Sequence, residues 1–210
     1  GLESGGHISL YYRYQGVRLH THGKGNLGFE AVQTRDSRFA PYHMLTTTTY
    51  LQDTTDGGYL VGKPHQTIVE RAYAQAIDNN ANSAPTYSSR TLLGRSTNTY
   101  QHLVTAHSVN SSDLHDAVFV YPAKVEDERW SIGTSATDIV GASSAAVQMP
   151  TTITESQFDN WGNLVSNTAT IDYQHGSGQH ITTSENWYGE SYTDSEGANV
   201  TEPSVCTSAV

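Results

Sequence analysis

The chain has 210 residues, 36% of them hydrophobic and 15% charged, with a formal net charge of −10; the length suffices for one large domain or two small ones, but the apolar fraction is low for a compact globule. Thr, Ser, Asn, Gln and Gly carry the polar balance, and 13 Tyr with three Trp set the chain apart from aromatic-poor disordered segments. Eleven scattered basic residues make no phosphate-binding stripe, the apolar runs fall far short of the ~20 residues that span a bilayer, and the single Cys206 excludes an intrachain disulfide and a Cys-based zinc site.

Residues 1–7, with Gly1, Gly5 and Gly6, read as a cut end, and no signal peptide is visible. From residue 8 the alternation is that of a strand: Ile8, Leu10, Tyr12 and Tyr14 fall on one face. After Gly16 the phase slips by one to Val17 and Leu19, which predicts a bulge or tight turn there. His22 to Asn26 reads as a turn, Leu27, Phe29 and Ala31 restart the alternation, and Asp36-Ser37 closes it. Met44 to Gln52 contains four consecutive Thr, which suit a strand far better than a helix. Residues 53–58 form a loop and Pro64 precedes the next element. In residues 66–77, Val69, Ala72, Tyr73, Ala76 and Ile77 match a helical face. Thr67-Ile68-Val69 and the absence of a good N-cap favour a strand there. Further strands are predicted at Ser88–Gln101, at Ala117–Tyr121 and Lys124–Ile132 on either side of Pro122, and at Val147–Phe158, Asn163–Tyr173 and Gln179–Tyr188. Nine or ten long strands joined by modest turns predict an all-β chain, an antiparallel meander.

A loose unit recurs around Thr48-Thr49-Tyr50, Ser96 to Tyr100 and Thr154 to Leu164: a Thr-rich strand, an aromatic, an Asp or Asn, and a Gly turn. Its clearest instance is Phe158-Asp159-Asn160-Trp161-Gly162-Asn163-Leu164-Val165. This resembles the YD repeat of Rhs proteins, of the B and C components of bacterial insecticidal toxin complexes, and of teneurins. In the physical reading, the aromatic ends one strand against its neighbour. Asp and Asn satisfy backbone donors, Gly supplies a positive φ, and Leu restarts the buried face. A second block, Tyr12 to Gly16, Gly25 to Val32, Asp36-Ser37 and Thr46 to Asp53, continued by Leu93 to Tyr100, is similar to the strand-rich region of toxin-complex B-component and SpvB-like proteins. Phe158 replaces the usual Tyr, there is one good unit, and the family's self-cleaving C-terminal core is absent. Neither self-cleavage nor toxin activity carries over.

The resemblance implies a curved sheet within a larger hollow shell around a C-terminal payload, with residues 8–188 as the strand-rich segment and 189–210 as a polar tail or the start of further repeats. It implies secretion or cell-surface delivery, partners among the remaining segments of a long chain or other toxin-complex subunits, and no contact with nucleic acid or membrane. Exposed strand edges also offer self-association. Containment needs no catalytic residue, metal or cofactor. His20 and His22 could pair on a metal but lack a spaced carboxylate. Asp113, His115 and Asp116 would need a nucleophile brought near in space. Gly176-Ser177-Gly178 lacks the setting of a nucleophile elbow. Asp53, Asp56 and Gly57-Gly58 lack EF-hand spacing. Glu126 to Arg129 reads as an exposed strand edge. Tyr11, Tyr12, Tyr14, Trp130, Trp161, Trp187 and Tyr188 could stack on sugars, the alternative reading being a carbohydrate-binding or adhesive β-module of a secreted or surface protein. Strand aromatics more often form cross-strand pairs.

Overall fold

The computed structural model describes residues 10–20, 25–38, 42–54, 58–74, 87–106, 117–132, 147–173, 178–186, 188, 191–193, 199–201 and 207–209. Every regular element among them is a strand: β1 (Leu10–His20), β2 (Gly25–Asp36), β3 (Tyr42–Tyr50), β4 (Pro64–Ala74), β5 (Tyr87–Ala106), β6 (Ala117–Ser131), β7 (Val147–Gln148), β8 (Thr151–Phe158), β9 (Leu164–Asp172), β10 (Gln179–Glu185), β11 (Ser191–Thr193), β12 (Asn199–Thr201) and β13 (Thr207–Ala209). The chain is all-β, as its Thr- and Tyr-rich alternation predicts, and its strand order is an open antiparallel meander among the described residues.

Two units divide the chain, residues 1–98 with 126–151, and residues 99–125 with 152–210. In the first unit the order is β1-β2-β3-β4-β5-β6, with β7 also on β6. In the second it is β5-β6-β8-β9-β10-β13, with β11 and β12 as a separate pair.

Within the first unit, β4 settles the ambiguity at 66–77 in favour of strand as far as Ala74; residues 75–77 lie outside the described ones. Val69 stands opposite Thr46 on β3 and Gly94 on β5, so its backbone is paired on both sides and the weak helical periodicity loses. Gly16 takes a left-handed φ of 64° inside β1. The extra residue of a bulge lies elsewhere, at Leu27 on β2, because Arg18 faces Gly28 and Leu19 faces Asn26. The phase slip nevertheless occurs. Tyr14 pairs with Val32 and Val17 with Phe29, yet the rings of Tyr14 and Phe29 lie 4.6 Å apart. Strict alternation would put Tyr14 and Val17 on opposite faces.

Three expectations are corrected. Ala117–Tyr121 and Lys124–Ile132 are one strand, β6, running through an exposed Pro122. A proline removes one ladder donor but keeps an extended φ. Val147–Phe158 is two strands, broken at Met149-Pro150, where the Met149 N–H donates to the Arg129 carbonyl at 2.8 Å. Glu126 to Arg129 is not a sheet edge: it lies in β6 between β5 and β7, and Glu128 is half-buried in an ion pair with Arg95 of β5.

Few side chains of the described residues are fully covered. Leu45, Ala72 and Tyr121 are the buried apolar ones, and His43 and Thr151 the buried polar ones. Polar pairs also join neighbouring strands. The Gln33 amide donates to Thr47 Oγ1 at 2.8 Å, the hydroxyls of Thr48 and Thr67 lie 3.1 Å apart, and Gln66 donates to Thr97 Oγ1 at 3.3 Å. The second unit repeats the device, with Thr168 and Thr183 hydroxyls 3.2 Å apart on directly paired residues.

Two of the strand glycines, Gly16 and Gly94, should respond oppositely to alanine. At Gly16 the added Cβ would overlap the Glu30 side chain and the left-handed φ would be strained, so Gly16→Ala should cost about 1–2 kcal/mol or more. Around Gly94 the nearest atom to an added Cβ is the Glu128 carbonyl oxygen at 3.7 Å, an ordinary contact. Gly94→Ala should therefore be neutral or stabilising by up to about 1 kcal/mol. Urea midpoints of the two variants check the contrast.

Candidate functional site

The most fully built local structure is the turn between β8 and β9 in the second unit. The Asp159 N–H donates to the Asn163 carbonyl at 2.9 Å, and the Asp159 carbonyl accepts from the Gly162 N–H at 3.0 Å. Its carboxylate Oδ1 accepts from the backbone N–H groups of Trp161 (2.9 Å) and Asn163 (2.8 Å), and Oδ2 accepts from the Asn163 side-chain amide at 2.9 Å. The Asn163 side chain first, and the backbone amides of Asn163, Trp161 and Gly162 with it, hold the Asp159 carboxyl below the usual carboxylate range. Gly162 closes the turn at a φ of 84°, and a Cβ there would stand 3.6 Å from the Phe119 ring.

An aromatic group anchors the turn from below. The Phe158 ring lies 4.5 Å from that of Tyr121 and 5.2 Å from that of Phe119, and the Tyr121 hydroxyl donates to Gln101 Oε1 at 3.0 Å. The end of β10 completes the surroundings. The Leu164 carbonyl accepts from the Asn186 side-chain amide and from the Tyr188 hydroxyl, both at 3.0 Å, and the Asn186 N–H donates to the Val165 carbonyl at 2.9 Å. A groove of about 360 Å³ lies along Asp159, Val165, Ser166, Glu185, Asn186 and Tyr188.

This arrangement orders backbone. Both Asp159 oxygens are occupied by amide donors, which leaves the carboxylate poorly placed to take a proton from a substrate. Ser166 lines the groove, and no histidine lines it with Ser166 among the described residues. The grooves of the first unit are likewise lined by sheet residues. One of about 270 Å³ runs beside Thr67, Val69, Gly94 and Glu128, and a smaller one of about 110 Å³ runs beside Arg13, Gln33 and Thr47.

His43 is a buried titratable group of the first unit. Its Nδ1 lies 3.4 Å from the Tyr87 hydroxyl. Burial, and then the positive charge of Arg35, push its imidazole below the ordinary value.

The other sequence candidates separate as follows. His20 ends β1, while His22, Asp113, His115, Asp116, Gly176, Ser177, Asp56, Gly57 and Trp187 lie outside the described residues. Among the described residues no group of three or more His, Cys, Asp or Glu side chains could hold a metal ion. Three of the aromatics are engaged in packing. Arg35 lies 3.9 Å over the Tyr11 ring, Tyr14 packs on Phe29, and Arg95 lies 5.9 Å from the Trp130 ring. Trp161 differs, standing 81% exposed at the turn. The contributions of Asn186 and Tyr188 to the turn, and of Tyr87 to His43, were not foreseen, because each partner lies more than 20 residues away in the chain. No protein-family model and no curated protein matches the sequence.

Two outcomes follow from this chemistry. Asp159→Ala should lower the urea midpoint, and hydrogen exchange should quicken first at the amides of Trp161, Gly162 and Asn163. In the parent chain the Asp159 contribution should be lost as pH falls below about 3.8, since the folded carboxyl holds its charge below the unfolded one. His43 acts in a different window. Its folded form resists protonation, so the unfolded chain binds more protons below about 6.5 and stability should fall there as pH drops. Thermal melts from pH 7.5 to 5.5 should show a shallower decline for His43→Gln than for the parent.

Proposed function

We propose that this chain is a non-catalytic wall segment of a YD-repeat or Rhs-type shell, related to bacterial toxin complexes and serving to enclose a payload. The observation that carries this reading is the Phe158–Leu164 turn. Each residue type that marks the repeat has a physical task there: the aromatic packs on its neighbours, Asp159 gathers amide donors, and Gly162 supplies the left-handed φ. An open meander suits a wall. So do polar pairs on its surfaces and shallow grooves without a poised nucleophile. On this reading the partners are other segments of the same long chain or other toxin-complex subunits, and the protein is secreted or delivered at the cell surface.

The exposure of Trp161 favours a second reading, a carbohydrate-binding or adhesive β-module, because a solvent-facing indole is a ready stacking platform for a sugar. Electron microscopy of the intact protein, together with glycan-array binding, separates the two. A wall segment places these strands in a closed layer around other polypeptide, and Trp161→Ala leaves glycan signals unchanged. A free-standing lobe whose glycan binding disappears with Trp161→Ala would favour the adhesive module. A turnover activity abolished by changing one His, Asp or Ser would overturn both.

A further inference from the structure

The second unit carries two adjoining hollows. The groove beside the 158–164 turn takes in Ser166, Glu185, Asn186 and Tyr188. A second, of about 340 Å³, runs beside Gln101, Glu155, Gln157, Ser166 and Thr168. Both touch Ser166, so the two adjoin. Each has the volume of a small-molecule site, ~300–1,000 Å³. Strand pairing fixes part of their lining: Ser166 stands opposite Glu185 across β9 and β10.

Tyr188 is held in an unusual way for a surface aromatic. Its side chain is 48% exposed, yet its hydroxyl is tied to the Leu164 carbonyl at 3.0 Å. A ring pinned at one end loses little freedom when a ligand settles on it. The Tyr121 hydroxyl holds Gln101 in the same manner, through Gln101 Oε1.

The lining chemistry narrows the ligand. Among the described residues neither groove is lined by Lys, Arg or His, and Glu155 and Glu185 stand exposed along them. Glu185 has no ion-pair partner among the described residues. These carboxylates oppose phosphate, sulfate and acidic sugars. Val165 and Ala123 are the aliphatic side chains of the lining, too few to hold a lipid tail or an apolar peptide. Amides, hydroxyls, carboxylates and one fixed ring make up the rest. That set suits a neutral sugar, whose hydroxyls both donate and accept and whose C–H face packs on an aromatic.

We propose that the two grooves form one binding site for a neutral oligosaccharide, with Tyr188 as the stacking platform and Gln101, Gln157, Ser166 and Glu185 as hydrogen-bonding groups. Trp161 lines neither groove, so this site is separate from the Trp161 surface of the second reading. It is also independent of the wall reading, which concerns what the sheet encloses.

Cellohexaose, maltohexaose and chitohexaose, titrated into the 210-residue chain and followed by amide NMR, test the proposal. At least one should bind and move the amide signals of Ser166, Thr168, Glu185 and Asn186, while sialylated and sulfated glycans should not. Tyr188→Ala should weaken binding by about tenfold or more, and Tyr188→Phe, which keeps the ring but frees it, should weaken it less. Gln157→Ala/Glu185→Ala leaves the Tyr188 hydrogen bond in place and should also weaken binding, so the test survives a Tyr188→Ala chain that folds poorly. Trp161→Ala should keep the affinity within about twofold of the parent. The proposal is overturned if none of the three neutral sugars binds, if the shifted amides lie away from the grooves, or if acidic glycans bind in preference. It is equally overturned by binding that survives Tyr188→Ala and disappears with Trp161→Ala, a result that would support the Trp161 reading instead.

Discussion

Pairing between adjacent strands is the interaction on which the rest of this structure depends. Only Leu45, Ala72 and Tyr121 are buried apolar side chains among the described residues, so hydrophobic burial has little to work with. What joins β3 to its neighbours is the ladder itself, overlaid by contacts such as Gln33 to Thr47 and Thr48 to Thr67. Cross-strand pairs of this kind contribute roughly 0.2–1 kcal/mol each. They must therefore be numerous, which gives a physical reason for a chain so rich in Thr, Gln and Asn. Charge enters the same scheme. Arg95 and Glu128 bridge β5 and β6, and Arg90 reaches Glu70 from β5 to β4 at 3.4 Å.

Local turn chemistry then decides where pairing starts and stops. Asp36 accepts from the Arg38 N–H at 3.0 Å and ends β2, much as Asp159 ends β8 by gathering the amides that follow it. Both use a short carboxylate two residues before the donor, the geometry of an Asx turn. The prolines show the limit of such rules. Pro150 coincides with a break in pairing and Pro122 does not, although both deny the ladder one donor.

These contrasts explain what was readable from the residues. Alternation at Leu10 to Tyr14, the Thr run of β3 and the turn at 158–164 depend on neighbours within a few positions, and each could be read directly. The slip at Gly16 was readable too, while its partner irregularity at Leu27 was not, since it exists only once β1 and β2 are in register. The continuity of β6 through Pro122 and the pairing of Glu128 with Arg95 depend on flanking strands that no local pattern names. The same holds at the candidate site. Asp159, Gly162 and Asn163 announced the turn, but Asn186 and Tyr188, which cap the Leu164 carbonyl, arrive from the end of β10.

The order of the strands has a consequence for cooperativity. From β2 to β6 each strand is bonded to the strand that precedes it and the one that follows it in the chain. Such a unit resembles a linear array, whose free energy is close to a sum over nearest-neighbour interfaces. Damage at one interface then stays near that interface, and unfolding can proceed from an end strand inward without a single all-or-none step. β1, bonded on one side among the described residues, would be the first to open, and β3 and β4, which carry Leu45 and Ala72, the last.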